Sequence, residues 1–390
     1  MRISARMQSI KPSATLAINA RAQELQAQGK EIVSLAVGQP DFGTPEHVIA
    51  AAKQALDDGH TRYTPVPGTP TMREAAAGYY NRFYGTNAEG KHIIVSNGGK
   101  QVLFNLLMSL INEGDEVLIP APYWVSYPAM VQLAQGKSVF VPTSPENDFL
   151  TSVEDLEAKR TDRTRVLILN TPSNPTGCHY SQEKLDAIAN WAVENNIFII
   201  SDEVYDRLVY TPAKPSSLAG LWEKHPENIA LVGALSKSFC MTGWRVGYAL
   251  AHEDLVKAMT KIQGQSTSNI NAATQQAAIA ALTGPWDIVD EMKESFVRRR
   301  DLAYDIITSW PGVTCPKPDG AFYLFPVVEA FYNEETPDST SLCTKILNEA
   351  GVALVPGAAF GDDRCIRFSY ALDDEVLKTA LDKVGKVLLK

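Results

Sequence analysis

Residues 229–250, IALVGALSKSFCMTGWRVGYAL, govern the reading of the whole chain. Two apolar runs, Ile229 to Val232 and Val246 to Leu250, flank a small-residue turn at Ser236-Lys237-Ser238 and a Gly243-Trp244-Arg245 corner. The runs predict two short strands buried on both faces. Lys237 then sits on a tight loop between core strands, and Arg245 leaves the same loop. A lysine in a dry site holds its proton weakly and becomes a nucleophilic amine able to form a Schiff base. A neighbouring arginine opposes protonation of that amine and can hold a phosphate. The alternative is a surface loop with a solvated lysine, and the rest of the chain has to decide between them.

At 390 residues the chain exceeds one ordinary core, which predicts two domains or one large domain with an appended lobe. Apolar residues make up 45% and charged residues 21%, as in a water-soluble globular protein. A net charge of −9 argues against a nucleic-acid partner. The basic cluster Arg298-Arg299-Arg300 lies in a long helical pattern and reads as a solvated helix face. Five scattered cysteines without CxxC spacing predict free thiols in a reducing, cytoplasmic setting. The histidines form no HExxH and no helical pair, so no metal site is predicted. No apolar run reaches membrane-spanning length. The N-terminal residues, with Glu24 in a helical run, read as a structural arm and helix rather than a signal peptide.

Beyond an arm at Lys11-Pro12-Ser13 and a helix from Ala14, Glu31 to Val37 reads as a strand leading into the turn-forming Gly38-Gln39-Pro40-Asp41-Phe42-Gly43. From Ile93 the chain alternates strand and helix, including a helix opened by Gly98-Gly99 and another over Val125 to Leu133. Such alternation predicts an α/β fold with a mainly parallel sheet flanked by helices. Beyond Pro311 the mixed short elements predict a smaller α+β lobe.

Ligands of open α/β sheets bind at the C-terminal strand ends, so the residues just after each apolar run probe the site. Those segments are Ser96-Asn97-Gly98-Gly99-Lys100, Asn170 to Gly177, Ser201-Asp202-Glu203-Val204-Tyr205 and the Lys237 loop. Gly98-Gly99 at a helix start is a natural anion cradle, though neither a GxGxxG nor a P-loop is present. Lys100 in the first helical turn opposes the helix dipole unless an anion faces it; otherwise it is simply exposed. Asp202 ends an apolar strand, as a turn or cap carboxylate or as the buried partner of a cationic ring nitrogen. Asn174 fits a plain turn, and Trp124 fits either core packing or a platform for a planar ligand.

Asn174-Pro175-Thr176-Gly177, Ser201-Asp202-Glu203-Val204-Tyr205, Ser236-Lys237-Ser238-Phe239 and Thr242-Gly243-Trp244-Arg245-Val246-Gly247 occur in this order. Together they resemble the class I/II aminotransferases, enzymes of pyridoxal 5′-phosphate, over essentially the whole chain. Lys-Pro-Ser-Ala-Thr at the N-terminus, Ala36 to Phe42, Gly98-Gly99-Lys100-Gln101 and Pro122 to Tyr127 are most similar to the bacterial-type aspartate aminotransferase branch, some of whose members accept prephenate.

The resemblance implies a large cofactor-binding domain over residues 45–285 with a seven-stranded, mainly parallel sheet. A smaller domain comes from both termini, residues 1–44 and 286–390. It implies Lys237 as the Schiff-base lysine, Asp202 on the pyridine nitrogen, Tyr205 and Asn174 on the ring hydroxyl, and Trp124 stacked on the ring. Gly99, Lys100, Ser236 and Arg245 surround the phosphate, joined by Tyr63 from the partner subunit of a homodimer. Arg367 forks onto the substrate α-carboxylate beside Gly38. Two positions depart from relatives: Ala234 stands where serine is common, and Gln263 to Leu282 carries no arginine for a distal carboxylate. Lys100 is the first candidate for that task and Lys11 the second, with Ser13 and Thr15 assisting. The implied reaction moves an amino group between aspartate and 2-oxoglutarate, with prephenate as a further acceptor. Amino acids and 2-oxo acids are thus the partners. A lyase of the same cofactor, or an aminotransferase for aromatic or neutral amino acids, uses the same scaffold. A regulatory domain of this fold would need a DNA-binding extension that neither end provides.

Overall fold

The computed structural model describes the chain except residues 2, 5, 6, 9, 11–13 and 212–214, with only the backbone at 14–17 and 19. Its centre is a seven-stranded sheet built from β2 (Ile93–Ser96), β3 (Glu116–Ala121), β4 (Lys137–Pro142), β5 (Thr164–Asn170), β6 (Phe198–Asp202), β7 (Ile229–Ala234) and β8 (Gly247–Leu250). The spatial order is β2-β8-β7-β6-β5-β3-β4, and β8 alone runs antiparallel to its neighbours. Val166, Leu167, Ile168 and Leu169 of β5, Ile199 and Ile200 of β6 and every residue of β7 are buried. These near-continuous apolar runs are what a sheet covered on both faces requires. One face packs under the helices Pro70–Tyr84, Gln182–Glu194 and Ala272–Thr283, and the other under Gly99–Leu110 and Glu253–Gly264.

Helix ends are set by local chemistry. Thr69 accepts from the Met72 amide at 3.2 Å to start the helix Pro70–Tyr84, and Gly85 ends it at φ 75°. Asn271 accepts from Thr274 N at 2.9 Å to start Ala272–Thr283.

A smaller α+β unit draws on both ends of the chain. β1 (Val33–Ser34) pairs in parallel with β10 (Val352–Ala353). An antiparallel sheet runs β11 (Val355–Pro356), β12 (Ile366–Ser369), β9 (Tyr323–Leu324). The helices Asp287–Thr308, Ser339–Ala350 and Asp374–Leu388 cover it around Phe296, Phe322, Phe368 and Tyr370.

Three local expectations change. The strand expected over Glu31 to Val37 shrinks to Val33–Ser34, because beyond Leu35 the chain leaves its partner for the Gly38 loop. The helix expected from Val125 begins at Tyr127, which leaves Trp124 in the preceding turn. Arg298-Arg299-Arg300 is not a solvated face. Arg299 is 7% exposed and bridges Asp41 at 2.8 Å and Asp374 at 2.9 Å, while Arg300 donates to Pro318 O at 3.1 Å. Charge pairing between segments distant in the chain overrides the tendency of arginine to stay wet. Only Arg298 of the triplet stays largely in solvent.

Candidate active site

Register brings the strand ends together. Asn170 pairs with Asp202, and Asp202 with Val232, so the last residues of β5 and β6 lie side by side, next to Val232 two residues before the end of β7. Beyond them opens a cavity of about 380 Å³. It is lined by Gly38, Gly99, Lys100, Trp124, Asn174, Asp202, Tyr205, Ser236, Lys237, Arg245 and Arg367. Two expected residues are not among them. Lys11 lies outside the described residues, as do Ser13 and the Thr15 side chain. Tyr63 is 92% exposed on this chain and does not reach the cavity.

Lys237 stands in a single helical turn, Leu235–Ser238, where a loop was expected. Its amine donates to Gly38 O and lies 5.7 Å from the Tyr205 ring centre. Burial first, then Arg367 and Arg245, lower its pKa to about 8, with Asp202 acting in the opposite direction. Arg245 is therefore a contributor, and the stronger of the two arginines is Arg367. Asp202 is 4% exposed and accepts from Tyr127 Oη at 2.7 Å. Burial raises its pKa to about 6, against the bonds from Tyr127 and the Val204 amide.

Arg367, 2% exposed, donates through Nη1 to Asn174 Oδ1 at 2.9 Å and through Nη2 to Ala36 O at 2.6 Å. Its Nε has no partner among the described residues. Asn174 is itself held by its amide to Asn170 Oδ1 at 2.8 Å, and Asn170 Nδ2 reaches Asp202 O at 2.9 Å. The Lys100 ammonium stands 4.9 Å above the Trp124 ring, a cation–π contact that offsets its place in the first turn of the helix Gly99–Leu110. Burial and then Arg245 lower its pKa.

Two glycines shape the rim. A Cβ on Gly98 would meet Arg245 Nη2 at 2.6 Å, and one on Gly247 would meet the Gly99 amide nitrogen at 2.4 Å. The helix start and the guanidinium are thereby drawn into one anion-binding cradle.

Residues 30–384 match the family model "Aminotransferase class I and II". The chain belongs to the class I and II aminotransferases. It is 43% identical to an asparagine–oxo-acid transaminase of Streptococcus mutans, with all of both chains covered. It is 42% identical to an aspartate/prephenate aminotransferase of Cereibacter sphaeroides, over 96% of each chain. The structure superposes with a TM-score of 0.94 on aspartate aminotransferase from Thermus thermophilus with maleate, at 41% identity, covering 99% of this chain and 100% of that one.

Aminotransferases of this family use pyridoxal phosphate, and the residues present fit it. A buried carboxylate without a salt-bridge partner among the described residues, a lysine of lowered pKa and a glycine–arginine cradle meet in one cavity. Among the described residues no group of histidine, cysteine, aspartate or glutamate is set to hold a metal, and no helix is long and apolar enough to cross a membrane. All five cysteines are free.

Sequence reasoning gave no role to Tyr127, which holds Asp202, or to Tyr323. Tyr323 Oη lies 2.8 Å from Tyr205 Oη, and its ring centre is 4.5 Å from the Arg367 guanidinium carbon. Tyr127 opens the helix that comes after β3, a strand end not counted among the converging ones. Tyr323 comes from the smaller unit, and no local pattern marks it.

Proposed function

We propose that this aminotransferase exchanges amino groups between L-aspartate and 2-oxoglutarate, giving oxaloacetate and L-glutamate, and also converts prephenate to arogenate. The observation that carries this reading is a charge imbalance. Lys100, Lys237, Arg245 and Arg367 face one cavity with Asp202 as its only lining carboxylate among the described residues. A phosphate and a dicarboxylic substrate together supply the missing negative charge.

In this reading Lys237 would attach the cofactor, Asp202 would pair with its ring nitrogen, Tyr205 and Asn174 would bond its ring hydroxyl, and Trp124 would support the ring. Gly99, Lys100, Ser236 and Arg245 surround the phosphate, with Tyr63 of the partner subunit in a homodimer. When bound, pyridoxal phosphate supplies an electron sink for the bond broken at the substrate Cα. Arg367 holds the α-carboxylate through its fork beside Gly38 and so fixes which Cα bond is presented for cleavage. The Lys237 amine, once free, carries the proton from and to Cα as base and acid, a task its lowered pKa suits. Lys100 is the cation for the distal carboxylate, and Lys11 remains the second candidate. The large domain spans residues 45–285 and the small one residues 1–44 and 286–390, and the free thiols support a cytoplasmic setting.

Steady-state kinetics of Lys100→Ala on aspartate, asparagine and a neutral amino acid test the assignment. The expected loss of kcat/KM is about 10- to 100-fold for aspartate and much smaller for the neutral substrate. Equal losses on all three would leave Lys100 a phosphate-side or structural residue only and refute its role toward the distal carboxylate.

A further inference from the structure

Tyr323 faces two of the site's residues at once. It is completely buried on β9, where it pairs across the antiparallel ladder with Ser369 of β12. Arg367, two residues before Ser369, projects from the same face, which sets Tyr323 and Arg367 as diagonal neighbours. The turn before Tyr323 is pinned to the Asn174 segment and to Leu208: Gly320 N donates to Gly177 O at 2.9 Å, and Ala321 N to Leu208 O at 2.9 Å. A Cβ on Gly320 would lie 2.5 Å from Pro172 Cγ, so this turn cannot shift toward it.

We propose that Tyr323 is a positioning residue with two separable actions: its hydroxyl orients the Tyr205 phenol, and its ring face supports the Arg367 guanidinium. The proposal rests on the site reading above. If Tyr205 donates its proton to the ring oxygen of the cofactor, its own oxygen accepts from Tyr323 across the 2.8 Å contact. A hydrogen bond received by a phenol strengthens the one it gives. The Arg367 guanidinium lies 4.5 Å from the Tyr323 ring centre, and the two residues are 2% and 0% exposed, so solvent screens the contact little.

Gly38 gains a second meaning. Its backbone is not in the left-handed region, yet a Cβ there would lie 2.9 Å from the Tyr323 hydroxyl oxygen. The missing side chain at position 38 is the space that hydroxyl occupies.

Four holoenzyme variants test this: Tyr323→Phe, Tyr323→Leu, Gly38→Ala and the double variant Gly38→Ala/Tyr323→Phe. The readouts are the pH midpoint of the bound cofactor's visible absorbance and the dissociation constant of maleate, a dicarboxylate probe. A donor on the ring oxygen withdraws charge from it, so weakening that donor raises the midpoint; Tyr323→Phe is expected to raise it by about half a unit or more. The same variant, which keeps its ring, should bind maleate within about twofold of the parent, whereas Tyr323→Leu should weaken it about tenfold or more. Gly38→Ala alone should move the midpoint, and much less in the Tyr323→Phe background, where the hydroxyl it presses on is gone. An unmoved midpoint in Tyr323→Phe, or parental maleate binding in Tyr323→Leu, overturns the proposal. Additive Gly38 and Tyr323 effects overturn the spatial argument. The site reading itself fails separately, if the unsubstituted enzyme shows no such absorbance or Lys237→Ala retains it.

Discussion

Replacing Asp202 by asparagine should move stability and function in opposite directions. Folding takes this carboxylate out of water and raises its pKa from 3.8 to about 6, with burial the leading cause. Above pH 6, that shift corresponds to about 3 kcal/mol by which ionisation of Asp202 destabilises the cofactor-free protein. The sign comes from proton counting. Below about pH 4 both folded and unfolded chains hold the proton, so no cost arises. Between about 4 and 6 the folded chain holds more protons, so its stability falls as pH rises, and above that the cost is constant. Asparagine is never charged and carries none of it. It can still accept from Tyr127 Oη, now at 2.7 Å from the carboxylate, but a neutral acceptor gives up about 1 kcal/mol of that bond. The net gain is therefore about 2 kcal/mol, a rise of a few degrees in Tm at pH 7–8 that vanishes near pH 4. With cofactor present the same change removes the charge facing the ring nitrogen, which should weaken cofactor binding by about 10- to 100-fold and transamination further. Differential scanning calorimetry of the cofactor-free parent and variant across pH 4–8, beside cofactor titrations, reads both. A variant no more stable at pH 7–8, or a difference independent of pH, would refute the placement of an unpaired buried carboxylate at this strand end.

Arg367→Ala should lower kcat/KM for every amino acid by about 10²- to 10⁴-fold, because it removes the fork and leaves Asn174 Oδ1 and Ala36 O without their donor; steady-state kinetics on aspartate and a neutral amino acid measure it. Arg299→Met should lower stability by about 1–3 kcal/mol, less than a fully buried pair because Asp41 and Asp374 are about a third exposed. Asp374 is held below its usual 3.8 chiefly by its bond to Arg299, so this loss is full above about pH 4 and fades as pH falls, which thermal melts at several pH values would show. Gly247→Ala should cost about 1–3 kcal/mol and weaken cofactor binding, since the added Cβ meets the Gly99 nitrogen at 2.4 Å and the Gly98 carbonyl carbon at 2.6 Å. Backbone atoms cannot rotate away; a parental melting temperature and cofactor affinity would contradict it.

The large sheet was legible because its strands are apolar on both faces and their ends carry polar residues that a dry core would exclude. Asn174, Asp202 and Lys237 could be picked out from one strand end each, and register does the rest of the assembly. Arg299 misled because a run of three arginines on a helix reads as a wet face. Its partners, Asp41 and Asp374, are 258 and 75 residues away in the chain, and no local pattern reports them. Tyr323 escaped for the same reason: its importance lies in contacts to residues distant in the chain, Tyr205 and Arg367. The turn carrying Lys237 is four residues long, too short for any helical period to appear.

The most direct test of the aspartate transamination reading is a half-reaction. Purified enzyme carrying pyridoxal phosphate is mixed with L-aspartate alone, with its absorbance spectrum, oxaloacetate and ammonia followed together. The reading predicts stoichiometric conversion of the cofactor from its aldehyde to its amine form, with equimolar oxaloacetate and no ammonia. Release of stoichiometric ammonia, or no spectral change with aspartate while a neutral amino acid converts the cofactor fully, would contradict it.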